Sequence, residues 1–395
     1  MKENNLKVFI KQSQSGILSY EDDKYIFNYN EDAKDVISLT MPIRKQSWVD
    51  KNLHPIFQMN MPEGALKDAI KNSFAKITKM DDIGFLKLIG PYMLGRVKFN
   101  ELKNDKDNLT LDDILHNSKE DLFDELLNKF AIRSGVSGVQ PKLLLSAHNK
   151  TTMKFEHYII KSWNEQYPQL ALNEYFCMKA IKKAGLPTPE FYLSDDLSMF
   201  IIKRFDIKEN GSYYGFEDMC VLTARGTDEK YDGSYEECTR VIKDIISPQK
   251  RKEALKTFFK AIVMNHLLRN GDGHLKNYGI LYDTNHTDAS LAPIYDVITT
   301  TVYLKKDIPA LYLSNVKLWW KEKTYKLFAK QSCRLSNKEY QEILNECKNA
   351  IVETKKDIDS FESDNKDIKD FLVLLKDIWV EDLTIYEFMN KNFNV

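Results

Sequence analysis

The rhythm of hydrophobic and polar positions changes along the chain. In the first hundred residues, Tyr25-Ile26-Phe27-Asn28-Tyr29 and Val36-Ile37-Ser38-Leu39-Thr40-Met41 gather β-branched and aromatic residues between the turn formers Asn30, Asp32 and Pro42. Both runs are expected to be strands. The stretch Met61-Pro62-Glu63-Gly64 breaks this pattern, and a helix is expected from Ala65 to Phe74. A polar run from Asn100 to Asn108 reads as a linker or exposed loop, so the first domain boundary is placed between 100 and 130. Ser118 and Asp121 then start a helix with Leu122, Phe123, Leu126, Leu127 and Phe130 on one face.

From 141 to 206 the short runs return. Lys142-Leu143-Leu144-Leu145 and the run from Lys154 to Lys161 flank the turn-like His148-Asn149-Lys150-Thr151, which predicts a hairpin. A helix carrying Leu172, Tyr175, Phe176, Lys179 and Ile181 follows, ended by Gly185 and Pro187. Two more strands are expected at Phe191 to Leu193 and Ser198 to Phe205. After 206 the period becomes helical. Ser247-Pro248 opens a helix with Leu255, Phe258, Phe259, Ile262 and Leu267. Ser336 and Glu339 form a capping box before Ile343, Leu344, Cys347 and Ile351. The expected class is α+β, a small sheet-plus-helix lobe followed by a mostly helical C-terminal lobe.

Composition narrows the possibilities. The chain has 395 residues, enough for two or three domains at about 150 residues each. Lys and Arg (57) nearly balance Asp and Glu (58), which excludes a globally basic nucleic-acid coat. With 43% apolar residues a real core is available, which excludes general disorder. The five cysteines are scattered without a CxxC pair, so neither a disulfide framework nor a zinc knuckle is expected. The start MKENNLKVFIKQ lacks the apolar core of a signal peptide, and no apolar run reaches a membrane span. A cytoplasmic protein without a membrane partner is therefore expected.

The candidate chemistry begins at Asn270-Gly271-Asp272-Gly273-His274-Leu275-Lys276-Asn277. Taken alone, this loop reads as a turn with helix-capping groups. Its spacing adds a second reading. Protein kinases place a catalytic Asp five residues before a metal-binding Asn, with a second metal-binding Asp downstream. Here Asp272 precedes Asn277 by five, and Asp296 follows in the apolar frame Ala292-Pro293-Ile294-Tyr295-Asp296-Val297. A carboxylate in such a frame needs a metal or a donor to compensate it; a satisfied buried turn residue is the other reading. Upstream, Lys161 ends the apolar run His157-Tyr158-Ile159-Ile160-Lys161, either as a nucleotide lysine or as an edge-strand lysine in solvent. Glu174 follows thirteen residues later, a slightly short spacing for an ion-pair partner. Gly135 and Gly138, among Arg133-Ser134-Gly135-Val136-Ser137-Gly138-Val139-Gln140-Pro141-Lys142, allow backbone N–H groups to face phosphate; an ordinary turn is the alternative. Each signal is weak, but the four stand in the order of one mechanism. Two further features stay open. Lys250-Arg251-Lys252 and Lys321 to Lys326 form either basic patches or solvated faces, and Trp319-Trp320 is either a recognition element or core.

Several segments together resemble the HipA family of bacterial serine/threonine kinase toxins. They are Ser137-Gly138-Val139-Gln140-Pro141-Lys142, Tyr158-Ile159-Ile160-Lys161, Asn173-Glu174, Lys203-Arg204-Phe205-Asp206, Glu217-Asp218, Lys230-Tyr231, the 270–277 loop and Leu291-Ala292-Pro293 with Tyr295-Asp296. Ile37 to Pro42, Met61 to Gly64 and Ile89-Gly90 resemble that family's first subdomain. The resemblance implies a two-lobed protein-kinase-like fold: an N-terminal β-rich subdomain (1–115), a kinase-like N-lobe (116–206) and a helical C-lobe (207–395). It implies ATP and Mg²⁺ as cofactors. Asp272 matches the catalytic aspartate, His274 the loop histidine near the phosphates, and Asn277 and Asp296 the metal ligands. Lys161 matches the phosphate lysine, and Lys203 and Phe205 the linker strand at adenine. Ser137, Gly138, Val139, Gln140 and Lys142 match the nucleotide loop. The family's usual autophosphorylated serine falls at Gly135, which has no hydroxyl. Ser137 is therefore the candidate and Ser134 the poorer one. The resemblance also implies an aminoacyl-tRNA synthetase as substrate and a helix-turn-helix antitoxin as partner, with operator DNA reached through that antitoxin. The competing classes are a kinase-like corepressor that needs no phosphotransfer and a small-molecule phosphotransferase.

Overall fold

In the computed structural model, residues 5–11, 13–61, 63, 81–90, 93–99, 110–116, 142–149, 154–163, 165–283 and 288–383 are described. The expected helices over 65–74 and from Ser118, and the loop holding Ser134, Ser137, Gly138, Val139 and Gln140, lie outside them. The chain divides into two units. The first gathers Met1–Trp163, Phe191–Glu229 and Ile280–Asp288; the second gathers Asn164–Glu190, Lys230–Gly279 and Ala289–Val395.

The first unit is built on β-alternation. Strand β1 (Asn5–Ile10) buries Leu6, Val8 and Ile10 and exposes Asn5 and Lys7, as a half-buried strand does. With β2 (Ser13–Glu21), β3 (Lys24–Tyr29), β4 (Trp48–Asp50) and β5 (Val97–Phe99) it makes an antiparallel sheet ordered β4-β3-β2-β1-β5. Leu6 stands opposite Leu18 and Ile10 opposite Val97, and Phe27, Phe57, Phe85 and Phe99 fill the core beneath. Val36 to Met41 is not the expected strand. It holds only a bridge between Ser38 and Met41, because Ser38 Oγ and Leu39 N–H donate to the carboxylate of Glu217 (2.6 and 2.7 Å) instead of to a ladder.

The predicted hairpin is present as β6 (Lys142–Asn149) and β7 (Lys154–Ser162). With β8 (Phe191–Leu193) and β9 (Met199–Lys203) it forms an antiparallel sheet ordered β6-β7-β9-β8. Tyr158, Ile160, Met199 and Ile201 pack there against Leu111 and Ile114 of the short helix Leu111–Leu115. Beyond it, β10 (Gly215–Asp218) lies next to β11 (Gly279–Tyr282).

The second unit is helical. Helix α1 (Leu170–Lys183) ends in paired bonds from Gly185 N to Lys182 O (2.9 Å) and Leu186 N to Ile181 O (3.3 Å), with Gly185 at φ +74°. Helices α2 (Tyr235–Ile245) and α3 (Pro248–Leu267) follow; Ser247 stands at the N-cap of α3 but its side chain makes no capping bond. Helices α4 (Glu322–Gln331), α5 (Asn337–Asp359, opened by the predicted Ser336–Glu339 box) and α6 (Lys366–Ile378) complete the unit. Trp320 is buried against Tyr235 and Tyr325, and Trp319 lies beneath Arg269, so this pair belongs to the packing. Lys252 pairs with Glu339 at 2.6 Å, a helix-surface ion pair. All five cysteines are buried, and none is in a disulfide. Among the described residues no helix is long and apolar enough to cross a membrane.

Candidate active site

The candidate loop begins where α3 cannot continue. After Leu268, Arg269 takes a left-handed backbone (φ +56°), and Asn270 N–H returns to Asn265 O at 2.9 Å. Gly271 N–H donates to Thr300 Oγ1 (2.7 Å), and the Asp307 carboxylate lies over the glycine so closely that any Cβ would collide with it. Asp272 N–H donates to Asn270 Oδ1 (3.0 Å), which fixes the backbone of the acidic residue. Its carboxylate is half-buried and accepts a bond from Tyr231 Oη, 2.7 Å from Oδ1.

A reciprocal pair of bonds closes the loop. Asn277 N–H donates to His274 O, and His274 N–H donates to Asn277 Oδ1, both at 3.0 Å, around the single turn Leu275–Asn277. The Asn277 amide thereby points one way, and its Nδ2 donates to Asp296 Oδ2 at 3.1 Å. Asp296 stands at φ +60°. This left-handed conformation is sparsely populated by non-glycine residues and clusters at functional sites. Tyr295 Oη donates to Lys276 O (2.6 Å), and Asn173 grips Thr299 from both sides: Nδ2 to Thr299 O at 3.0 Å and Thr299 N to Oδ1 at 2.8 Å. The second unit thus brings Asp272, His274, Asn277 and Asp296 together. A carboxylate and an amide oxygen are hard donors of the kind Mg²⁺ takes; here the amide turns its nitrogen to Asp296 and its oxygen to His274 N–H, so Asn277 would join Asp296 on an ion only by turning that oxygen away from His274. Asp307 is half-buried. Burial, and then the neighbouring Asp272 charge, raise its carboxyl above the ordinary range against bonds from Thr300 and Ile308 N–H.

The first unit carries the other predicted residues. Lys161 is buried on β7, its ammonium 5.8 Å from the Phe200 ring centre. Its Cα partner across the ladder is Lys142 of β6. Lys203 ends β9 and pairs with Glu156 at 2.7 Å, and Glu156 also accepts from Tyr158 Oη at 2.6 Å. Phe205 meets Phe216 edge-on, centroids 5.5 Å apart. Arg204 and Asp206 form a two-pronged pair (3.0 and 2.7 Å). Although burial alone raises the Asp206 carboxyl, the Arg204 charge holds it below the ordinary range. Glu174 belongs to α1 in the second unit and is buried.

Sequence reasoning quoted Lys230-Tyr231 and Asn173 only as parts of a resemblance and gave them no task. Thr300 and Asp307 went unnoticed. Asp307 follows Lys305-Lys306, a charge run with no feature to separate it from a solvated turn.

A model of the HipA-like C-terminal domain matches residues 134–355, and one of the HipA N-terminal domain matches 6–100. A relative from Sinorhizobium fredii (strain NBRC 101917 / NGR234), named "Putative kinase Y4dM", is 25% identical over 338 residues, covering 77% of this chain and 79% of its own. Another kinase-named relative, from Haemophilus influenzae, is 30% identical over 185 residues, 42% of this chain and 53% of its own. The solved HipA of Shewanella oneidensis MR-1, in complex with HipB and operator DNA, aligns with a TM-score of 0.69 at 17% identity. It covers 94% of this chain and 95% of that one, which is a likeness of fold.

Proposed function

This chain belongs to the HipA family of kinases, and from that premise we propose that it is an ATP- and Mg²⁺-dependent serine/threonine protein kinase acting as a HipA-like toxin. The observation that supports this most is the contact of Asn277, five residues past Asp272, with a left-handed Asp296. In this reading Asp272 takes the proton of the acceptor hydroxyl as it attacks the γ-phosphorus and ADP leaves. Asn277 and Asp296 would hold Mg²⁺, whose charge would offset that of the nucleotide phosphates. Lys161 and His274 serve the phosphates, and Lys203 and Phe205 serve adenine. Ser137, Gly138, Val139, Gln140 and Lys142 form the nucleotide loop, with Ser137, and Ser134 behind it, as the autophosphorylation candidate. The three-part division at 115 and 206 accompanies these roles.

The Shewanella neighbour was solved with HipB and operator DNA. By analogy this chain pairs with a helix-turn-helix antitoxin, touches operator DNA only through it, and phosphorylates a translation component such as an aminoacyl-tRNA synthetase. The same neighbour favours a second reading, a corepressor that needs no phosphotransfer. Labelled ATP, Mg²⁺ and a cell lysate separate the two. Wild-type protein is expected to label a protein band, and Asp272→Asn to abolish the label while retaining ATP binding. Labelling of a metabolite alone, or unchanged labelling by Asp272→Asn, would overturn the reading.

A further inference from the structure

A carboxylate has two oxygens, and a base that must meet an incoming hydroxyl gains from having one of them fixed. The Tyr231 phenol donates to Asp272 Oδ1 at 2.7 Å. Its segment is clamped on both sides. Lys230 O accepts Leu275 N–H of the catalytic loop (3.0 Å), and Gly233 O accepts Tyr312 N–H (2.9 Å). Tyr231 O itself accepts Lys317 Nζ (2.8 Å). The tyrosine ring stands edge-on to His274, centroids 5.2 Å apart. Although the residue is 40% exposed, its backbone and ring are thus tied to the same loop that carries the carboxylate.

We propose that Tyr231 is a positioning residue for the transfer step: by holding Oδ1 of Asp272 it fixes the orientation of the carboxylate that takes the acceptor's proton. This rests on the kinase reading above. Among the described residues, the charged and titratable groups near the carboxylate include His274 within the loop, Asp307 over Gly271, and Lys230 and Lys317 on the flanking segments. Donation to the ionised form favours it, so the bond both orients the base and keeps it charged.

The test is Tyr231→Phe, which removes the hydroxyl and keeps the ring against His274. Single-turnover phosphotransfer measured from pH 5 to 9 is expected to slow roughly tenfold, the scale of one charge-assisted hydrogen bond. Mg·ATP affinity by calorimetry should stay unchanged, and the acid limb of the rate profile should move to higher pH. Turnover within about twofold of wild type with an unmoved acid limb overturns the assignment. A carbonyl-labelled aspartate resonance, assigned through Asp272→Asn, follows the contact without turnover: its midpoint should rise in Tyr231→Phe. If the wild-type chain labels no acceptor, the kinase reading falls, while an unmoved resonance sinks the role of Tyr231 alone.

Discussion

Glu217 in the first unit and Asp296 in the second are both acids set among apolar residues, and they are held in opposite ways. Glu217 is fully buried, with Ser38 Oγ on one carboxylate oxygen and Leu39 N–H and Tyr282 Oη on the other. Burial pushes its carboxyl above the ordinary range, against the pull of those donors and of Arg96. Asp296 is only half-buried, and its backbone is left-handed. A carboxylate wrapped in donors from distant parts of the sequence ties segments together. One that keeps some exposure and sits on an uncommon backbone suits work on something that arrives.

The sharpest way to break this contrast is to exchange the costs. Glu217→Ala leaves three buried donors without their acceptor and is expected to lower the unfolding free energy by about 3–5 kcal/mol. Glu217→Gln should recover part of that. Denaturant titration with a loss under about 1 kcal/mol would show that the network does not hold the first unit. Asp296→Asn should do the reverse. Its stability change stays within about 1 kcal/mol, while Mg·ATP affinity drops by roughly tenfold or more, because an amide is a poorer ligand for a hard cation. Asp296→Gly sharpens the point: relief of the left-handed backbone is offset by the lost bond from Asn277 and by a freer unfolded chain, so stability should stay within about 1 kcal/mol of wild type as Mg·ATP binding is lost. Unchanged affinity in either variant would remove Asp296 from the metal site.

A smaller effect concerns Lys98, a buried cation of the first unit that donates to Met93 O. Burial, and then the nearby Arg204 charge, push its ammonium down to about 7, although Asp206 pulls the other way. The folded chain therefore gives up this proton more readily than the unfolded one. The charge costs stability in full below pH 7, and the cost fades as pH rises from 7 toward the ordinary lysine value. Lys98→Met should accordingly gain stability relative to wild type at pH 6, and the gain should shrink by pH 9. Melting temperatures that respond to pH identically in both proteins would count against the buried charge.

Much of this was legible in the linear pattern. The β6–β7 hairpin, the capping box of α5, the Gly185 stop and the Asp272–Asn277 spacing all rest on local chemistry, which sequence records directly. What escaped depends on partners far away in the chain. Val36 to Met41 has every mark of a strand, yet a glutamate nearly two hundred positions on claims its polar groups. The phenol on Asp272 comes from forty-one positions upstream, and Asn173 reaches Thr299 across 126. No periodicity or cap reports such pairings.

The five buried thiols have a practical consequence. Cys220 lies in the first unit, and Cys177, Cys238, Cys333 and Cys347 are spread over the second. Burial pushes Cys177 and Cys347 up to about 12, and reagents attack only the thiolate. Each sulfur is thus silent until its own neighbourhood opens. The unaltered chain carries a built-in set of stopwatches. Timed alkylation followed by peptide mapping should read the opening rate at five places separately, and adding nucleotide should show which of those clocks it slows.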